Sequence, residues 1–318
     1  MPVAACSLSG LDALARHHWS WISESFLHVS LLEEWGERAL SGRIADQYES
    51  EIPRAFRLIE LMLESKSRIT LGGEGARRGS DLPEPGRSVS LMAARELFVM
   101  RSADDHLRSM AEEYDGEDRG EVAEILNEAI ANRAEYVAWL AERTETWADA
   151  SPRLCRISDD PAWLPLSRLL LQLLDAIDET SVHMLVLRHA KQMDEAEQNL
   201  QGSYEYMLLA VEIARYFGRQ EWAIDFHDKA MAGEISRSRI GSTVSQVRRI
   251  NRERRTDLKG LAARMIEPGS SDSDVFRGDS EALALMQDLA RRISTMSDSV
   301  RVSGSTMEAM MGRYLYSR

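Results

Sequence analysis

The chain has 318 residues, with 39 lysines and arginines against 52 aspartates and glutamates, for a formal net charge of −13. That balance excludes a uniformly basic coat for nucleic acid. Hydrophobic residues make up 44% and charged residues 29%, too apolar for a disordered chain and enough to bury a core in one large domain or two.

In chain order, the first fifteen residues hold short apolar pieces broken by Ser7, Ser9, Gly10 and Asp12 with no basic leader, so no secretory signal is expected. From Leu11 to about Ser30, Leu14, Trp21, Ile22, Phe26 and Val29 recur at helical spacing. A second helix is expected over Leu31 to Leu40 and a third over about Gly42 to Ser67. Ile44, Tyr48, Ile52, Phe56, Ile59 and Met62 form the apolar side of the third, and Pro53 is a candidate kink. Residues 71–88 carry five glycines and two prolines and read as a flexible loop. Helices then follow over about Val89 to Tyr114 and Arg119 to Ala148. Around Trp163 to Ile177 lies the most apolar stretch, interrupted by Pro165, Arg168, Gln172 and Asp175. It falls short of the roughly 20 apolar residues of a membrane span and reads as the start of a buried helix reaching about Leu200.

Residues 205–234, EYMLLAVEIARYFGRQEWAIDFHDKAMAGE, resemble a tetratricopeptide hairpin, with Gly218 at the turn and Ala223 and Ala230 at the small-residue positions. The family's Leu-Gly pair and tyrosine are replaced by Ala210, Val211 and Ala214, His227 stands in place of a phenylalanine, and no second copy follows. The resemblance implies helix-turn-helix packing rather than a stacked array. A basic helix is expected from about Ile235 to Ile266, then a linker over 267–280, then a C-terminal helical pair over 281–318. The expected fold is all-α: an irregular bundle of about nine or ten helices with a tethered C-terminal pair. Its parts are N-terminal helices over 1–70, a main body over 89–266 with the basic helix at 237–264, and the C-terminal pair.

Signatures of catalysis are sparse. Cys6 and Cys155 stand too far apart for a disulfide framework or a cysteine zinc site of the usual spacing, and reduced thiols point to a soluble, intracellular protein. A di-metal carboxylate bundle needs a Glu-x-x-His step on two helices, and none of the seven histidines has an acid three residues before it. Glu24 and His28, and Glu179 and His183, are acid–histidine pairs four apart. The second, with Asp175 and Asp178 on an otherwise apolar helix, marks Asp175, Glu179 and His183 as candidates for a metal-dependent or acid–base enzyme. No nucleophile elbow, phosphate loop or dinucleotide fingerprint is present, and no cofactor or metal is expected. His17, His18, Trp19 and Trp21, and the methionines Met307, Met310 and Met311, suit packing better than a ligand site.

Charge layout says more. Residues 101–150 hold 14 acids and five bases, whereas residues 237–264 hold nine bases and two acids. On one helix, Arg248, Arg252, Arg255 and Lys259 line a face, with Arg249 beside them. Val247, Ile250, Leu258, Leu261 and Met265 form an apolar stripe that anchors the helix. Such arginines present forks to carboxylates or phosphates. The expected function is therefore a non-enzymatic, self-associating interaction or structural protein. Its basic face, Arg248, Arg249, Arg252, Arg255 and Lys259, would meet an acidic partner, a second copy or nucleic acid.

Overall fold

The helical periodicity is realised among the described residues. A computed structural model describes residues 15, 19, 22, 25–65, 69, 89–114, 120–147, 164–219, 239–267 and 279–296. Among these residues there are eight helices and no strand: α1 (25–34), α2 (Arg38–Glu64), α3 (Val89–Tyr114), α4 (Gly120–Trp147), α5 (Leu164–His189), α6 (Met193–Arg219), α7 (Val244–Ile266) and α8 (Ser280–Thr295). None is long and apolar enough to cross a membrane. The expected loop at 71–88, most of the linker, the last expected helix, the paired histidines His17 and His18, Glu24 and the methionine cluster lie outside the described residues.

The chain divides into two compact units. The first comprises Met1–Leu164 and Ala210–Arg237, the second Pro165–Leu209 and Ser238–Arg318.

In the first unit, one boundary replaces the two expected near residues 30 and 41. Helix α1 continues through residue 34 and ends at Gly36, whose φ of +79° is the left-handed region that glycine enters without a Cβ penalty. The Gly36 amide donates to the Glu33 carbonyl at 3.1 Å and the Glu37 amide to the Leu32 carbonyl at 2.9 Å, the paired bonds of a Schellman cap. Pro53 sits inside an unbroken α2.

The buried face of α2 also differs from the expected stripe. It keeps Ile44, Ile59 and Met62 of the expected residues and adds Gln47, Glu51, Ala55 and Leu58, while Tyr48, Ile52 and Phe56 are half-buried beside it. Phe56 stacks on Trp19 with ring centroids 5.5 Å apart. Helix α4 packs on both α2 and α3, and its Arg133 accounts for the burial of Glu51. Fully buried, Arg133 donates from Nε at 2.9 Å and from Nη2 at 3.2 Å to the two carboxylate oxygens of Glu51. His28 of α1 meets Glu96 of α3 at 2.7 Å. The Trp35 indole donates to the Gly218 carbonyl at 3.0 Å. Gly218 thus lies in the last turn of α6, and the second arm of the tetratricopeptide-like hairpin lies outside the described residues.

In the second unit, the single helix expected to reach Leu200 is two. Lys191 has φ of +58°, and the bonds from Lys191 to Arg188 at 2.9 Å and from Gln192 to Leu187 at 2.8 Å close α5 as Gly36 closes α1, but without glycine. Helix α7 begins at Val244, not near residue 237. Thr243 caps it by accepting the Gln246 amide at 3.3 Å, and Gly241 precedes it in a tight approach where a Cβ would come 2.7 Å from the Val247 nitrogen. Asp279 caps α8 by accepting from Glu281 and Ala282, each at 2.9 Å. Ala282, Met286, Leu289, Ala290 and Ile293 are its buried face, and α8 packs on α7.

Candidate functional site

The expected apolar stripe of α7 is buried. Val247, Ile250, Leu258, Leu261 and Met265 all face inward, and between Ile250 and Leu258, where the 3–4 spacing calls for one more core residue, stands Arg254. A charge in that position needs partners, because an uncompensated buried ion costs several kcal/mol, on the order of 3–5. Glu179 of α5 provides them. Arg254 donates from Nε to one Glu179 oxygen at 2.9 Å and from Nη2 to the other at 2.6 Å, and from Nη1 to Gln172. Asp175 stands 3.8 Å from the same Nη2. Burial pulls the Arg254 pKa down, but the Glu179 bond and the Glu179 and Asp175 charges outweigh it and hold it above the usual arginine value.

The other residue of the candidate enzyme site is placed beside this pair and saturated. The Gly241 amide donates to His183 Nε2 at 2.9 Å. That bond assigns the ring proton to Nδ1, which faces Asn251 Oδ1 at 2.7 Å. Burial lowers the His183 pKa, so the ring is neutral at pH 7. Asn251 donates on to Asn199 at 2.7 Å, and Asn199 to the Glu195 carbonyl at 2.8 Å. The Arg239 amide fills a further site on Glu179 at 2.6 Å. Every ring nitrogen of His183 and both oxygens of Glu179 are thus engaged within the fold, an arrangement that fixes α7 against α5 and α6. No cluster of three or more metal-ligating side chains occurs among the described residues.

Outside this buried core lies an open groove of about 320 Å³ between α6 and α7, lined in part by Thr180, Gln201, Tyr206, Arg248, Arg252 and Arg255. Burial pushes the Tyr206 phenol up to about 12. The expected basic residues share this side of α7 but differ in their commitments. Arg248 binds Glu195, with Nε at 2.8 Å, and that bond holds the Glu195 carboxyl below its usual range. Arg249 reaches Glu253 one turn along at 2.9 Å. Arg255 is half-buried near Tyr206, whereas Arg252 and Lys259 are exposed and form no ion pair among the described residues. Arg239, before the helix, meets Glu253 at 3.4 Å and Asp257 at 3.2 Å. The strong positive sum of 237–264 is therefore partly neutralised within the second unit.

Arg254 is not among the cations expected at the surface, although its place in the apolar stripe is a usable signal. Glu51 and Arg133 carry the same signal in the first unit. Comparison with family models, with curated proteins and with solved structures finds no match to this chain.

Proposed function

We propose that the protein is a non-enzymatic interaction protein in which α7 presents Arg252 and Lys259, flanked by Arg248 and Arg255, to an acidic protein surface. The observation that carries this reading is the split between buried and exposed cations on one helix. Arg254 is locked to Glu179, while Arg252 and Lys259, on the exposed side, have no carboxylate partner among the described residues. A cation held on a fixed backbone loses less freedom on binding than one on a mobile segment. A polyphosphate is disfavoured because Glu195 and Glu205 of α6 line the groove beside Arg252, and Glu253 and Asp257 add two acids on α7 itself, whereas a nucleic-acid site gains its affinity from many unopposed phosphate contacts.

Support for the enzyme reading is weaker, since Glu179 and His183 spend their polar atoms on Arg254, Arg239, Gly241 and Asn251. The test uses the full chain with poly-glutamate and, separately, a duplex DNA oligonucleotide, at low and high salt. Salt-sensitive binding to poly-glutamate that is lost in Arg252→Glu/Lys259→Glu is expected. Equal binding by that variant, or binding of DNA alone, refutes the reading.

A further inference from the structure

The chain itself carries an acidic helix that complements this face. Helix α4 exposes Glu124, Glu128, Glu135 and Glu142 along one side, at i, i+4, i+11 and i+18. Glu128, Glu135 and Glu142 are thus seven residues apart, about 10.5 Å per step at a rise of about 1.5 Å per residue. Arg252 and Lys259 are also seven apart and share that pitch. Between Glu128 and Glu142 the other exposed residues are Ala131, Ala134 and Ala138. Their small side chains let a second helix come close, at the about 8–10 Å that packed helices keep.

Commitments on the acidic side are few. Glu124, Glu128 and Glu142 form no ion pair among the described residues. Glu135 touches Arg43 yet its side chain remains 83% exposed. Arg143, an exposed base on the same helix, lies over the Trp139 ring at 5.0 Å.

We infer that the basic face of α7 docks on the glutamate face of α4 in a second copy of this chain. The inference rests on the reading of α7 given above and names its partner. Because α4 belongs to the first unit and α7 to the second, the two faces of the contact are different surfaces. Each copy then carries one of each, a heterologous contact that builds rings or open chains. A free acidic protein would satisfy the cations equally, but the matching seven-residue pitch and the alanine strip favour a second copy.

The experiment is sedimentation velocity on the full chain at low and high salt, with far-ultraviolet circular dichroism confirming that the surface variants keep their helix content. Wild type is expected to sediment as a salt-sensitive oligomer. Arg252→Glu/Lys259→Glu and Glu128→Lys/Glu135→Lys should each shift to monomer, and combining all four substitutions in one chain should restore the oligomer. A wild type that is monomeric at low salt overturns the inference, as does an oligomer that survives the α4 reversal. If the α4 variant also retains wild-type binding to poly-glutamate, the reading of α7 stands and only the second copy is excluded. Loss of poly-glutamate binding by no variant at all overturns both.

Discussion

Arg254→Met is the most direct probe of what holds α7 in place. Methionine keeps much of the arginine's length and apolar stem while removing the charge and all five N–H donors. Arg254 is 2% exposed, and the carboxylates it faces, Glu179 and Asp175, are 1% and 2% exposed, so water cannot replace the guanidinium. Removing one partner of a buried pair costs about 3–5 kcal/mol, a large share of a total stability of about 5–15 kcal/mol. Glu179→Met alone leaves Arg254 with only the more distant Asp175 carboxylate, 3.8 Å away, and is expected to cost a similar amount. In the double variant neither stranded ion remains from the bidentate pair, so the loss should fall short of the sum by about 2 kcal/mol, within the usual range for coupled neighbours. Urea unfolding followed by circular dichroism measures all three. A loss below about 1 kcal/mol for Arg254→Met, or strict additivity of the two changes, would show that packing and not the ion pair positions the helix.

Three further outcomes follow from local geometry. Lys191→Gly should stabilise the chain by about 1 kcal/mol in the same assay, because glycine adopts the left-handed cap without the Cβ penalty; a destabilised variant would show that the lysine side chain makes up for its backbone strain. Gly241→Ala should destabilise by about 1–3 kcal/mol, since its Cβ would stand 2.7 Å from the Val247 nitrogen and the shift would break the bond to His183; wild-type stability would refute the tight approach. His183 has a folded pKa below its ordinary 6.5. The unfolded chain therefore binds the proton more readily, and the stability present above 6.5 is lost as pH falls through the folded value. Wild type should lose stability on acidification in that window more steeply than His183→Asn, and parallel curves would exclude the histidine as the cause.

Much of the fold is legible in the sequence where period and punctuation agree. Helices α3 and α4 fall within a residue or so of their expected ends, and the α7 stripe from Val247 to Met265 is buried as its spacing implies. The break at Lys191 is not legible, because a left-handed cap on a lysine leaves none of the glycine signal that marks Gly36. Pairing is harder still. Glu179 and Arg254 are 75 positions apart and Glu51 and Arg133 are 82 apart, and one sequence does not state which distant charge answers which. Each of those four residues nonetheless sits on the buried face of its helix. A lone charge on an apolar face is thus a usable forecast that an opposite charge lies across from it. The candidate surface was legible as five cations, whereas their separate fates, one in a groove-side bond to Glu195 and another along the helix to Glu253, depend on folded neighbours.

The division of the chain bears on how it is made. The backbone passes between the two units after Leu164, after Leu209 and after Arg237, so neither unit is one continuous stretch. During synthesis the N-terminal helices emerge well before the Gly218 carbonyl that receives the Trp35 indole, 183 positions later. The second unit likewise waits for Arg254 before Glu179 is neutralised. Closing such long loops precedes the contacts that reward it, which slows folding. Completion of both units is therefore expected late in translation, and of the three crossings only the one after Leu209 is a point where a single proteolytic cut would leave neither unit whole in one fragment.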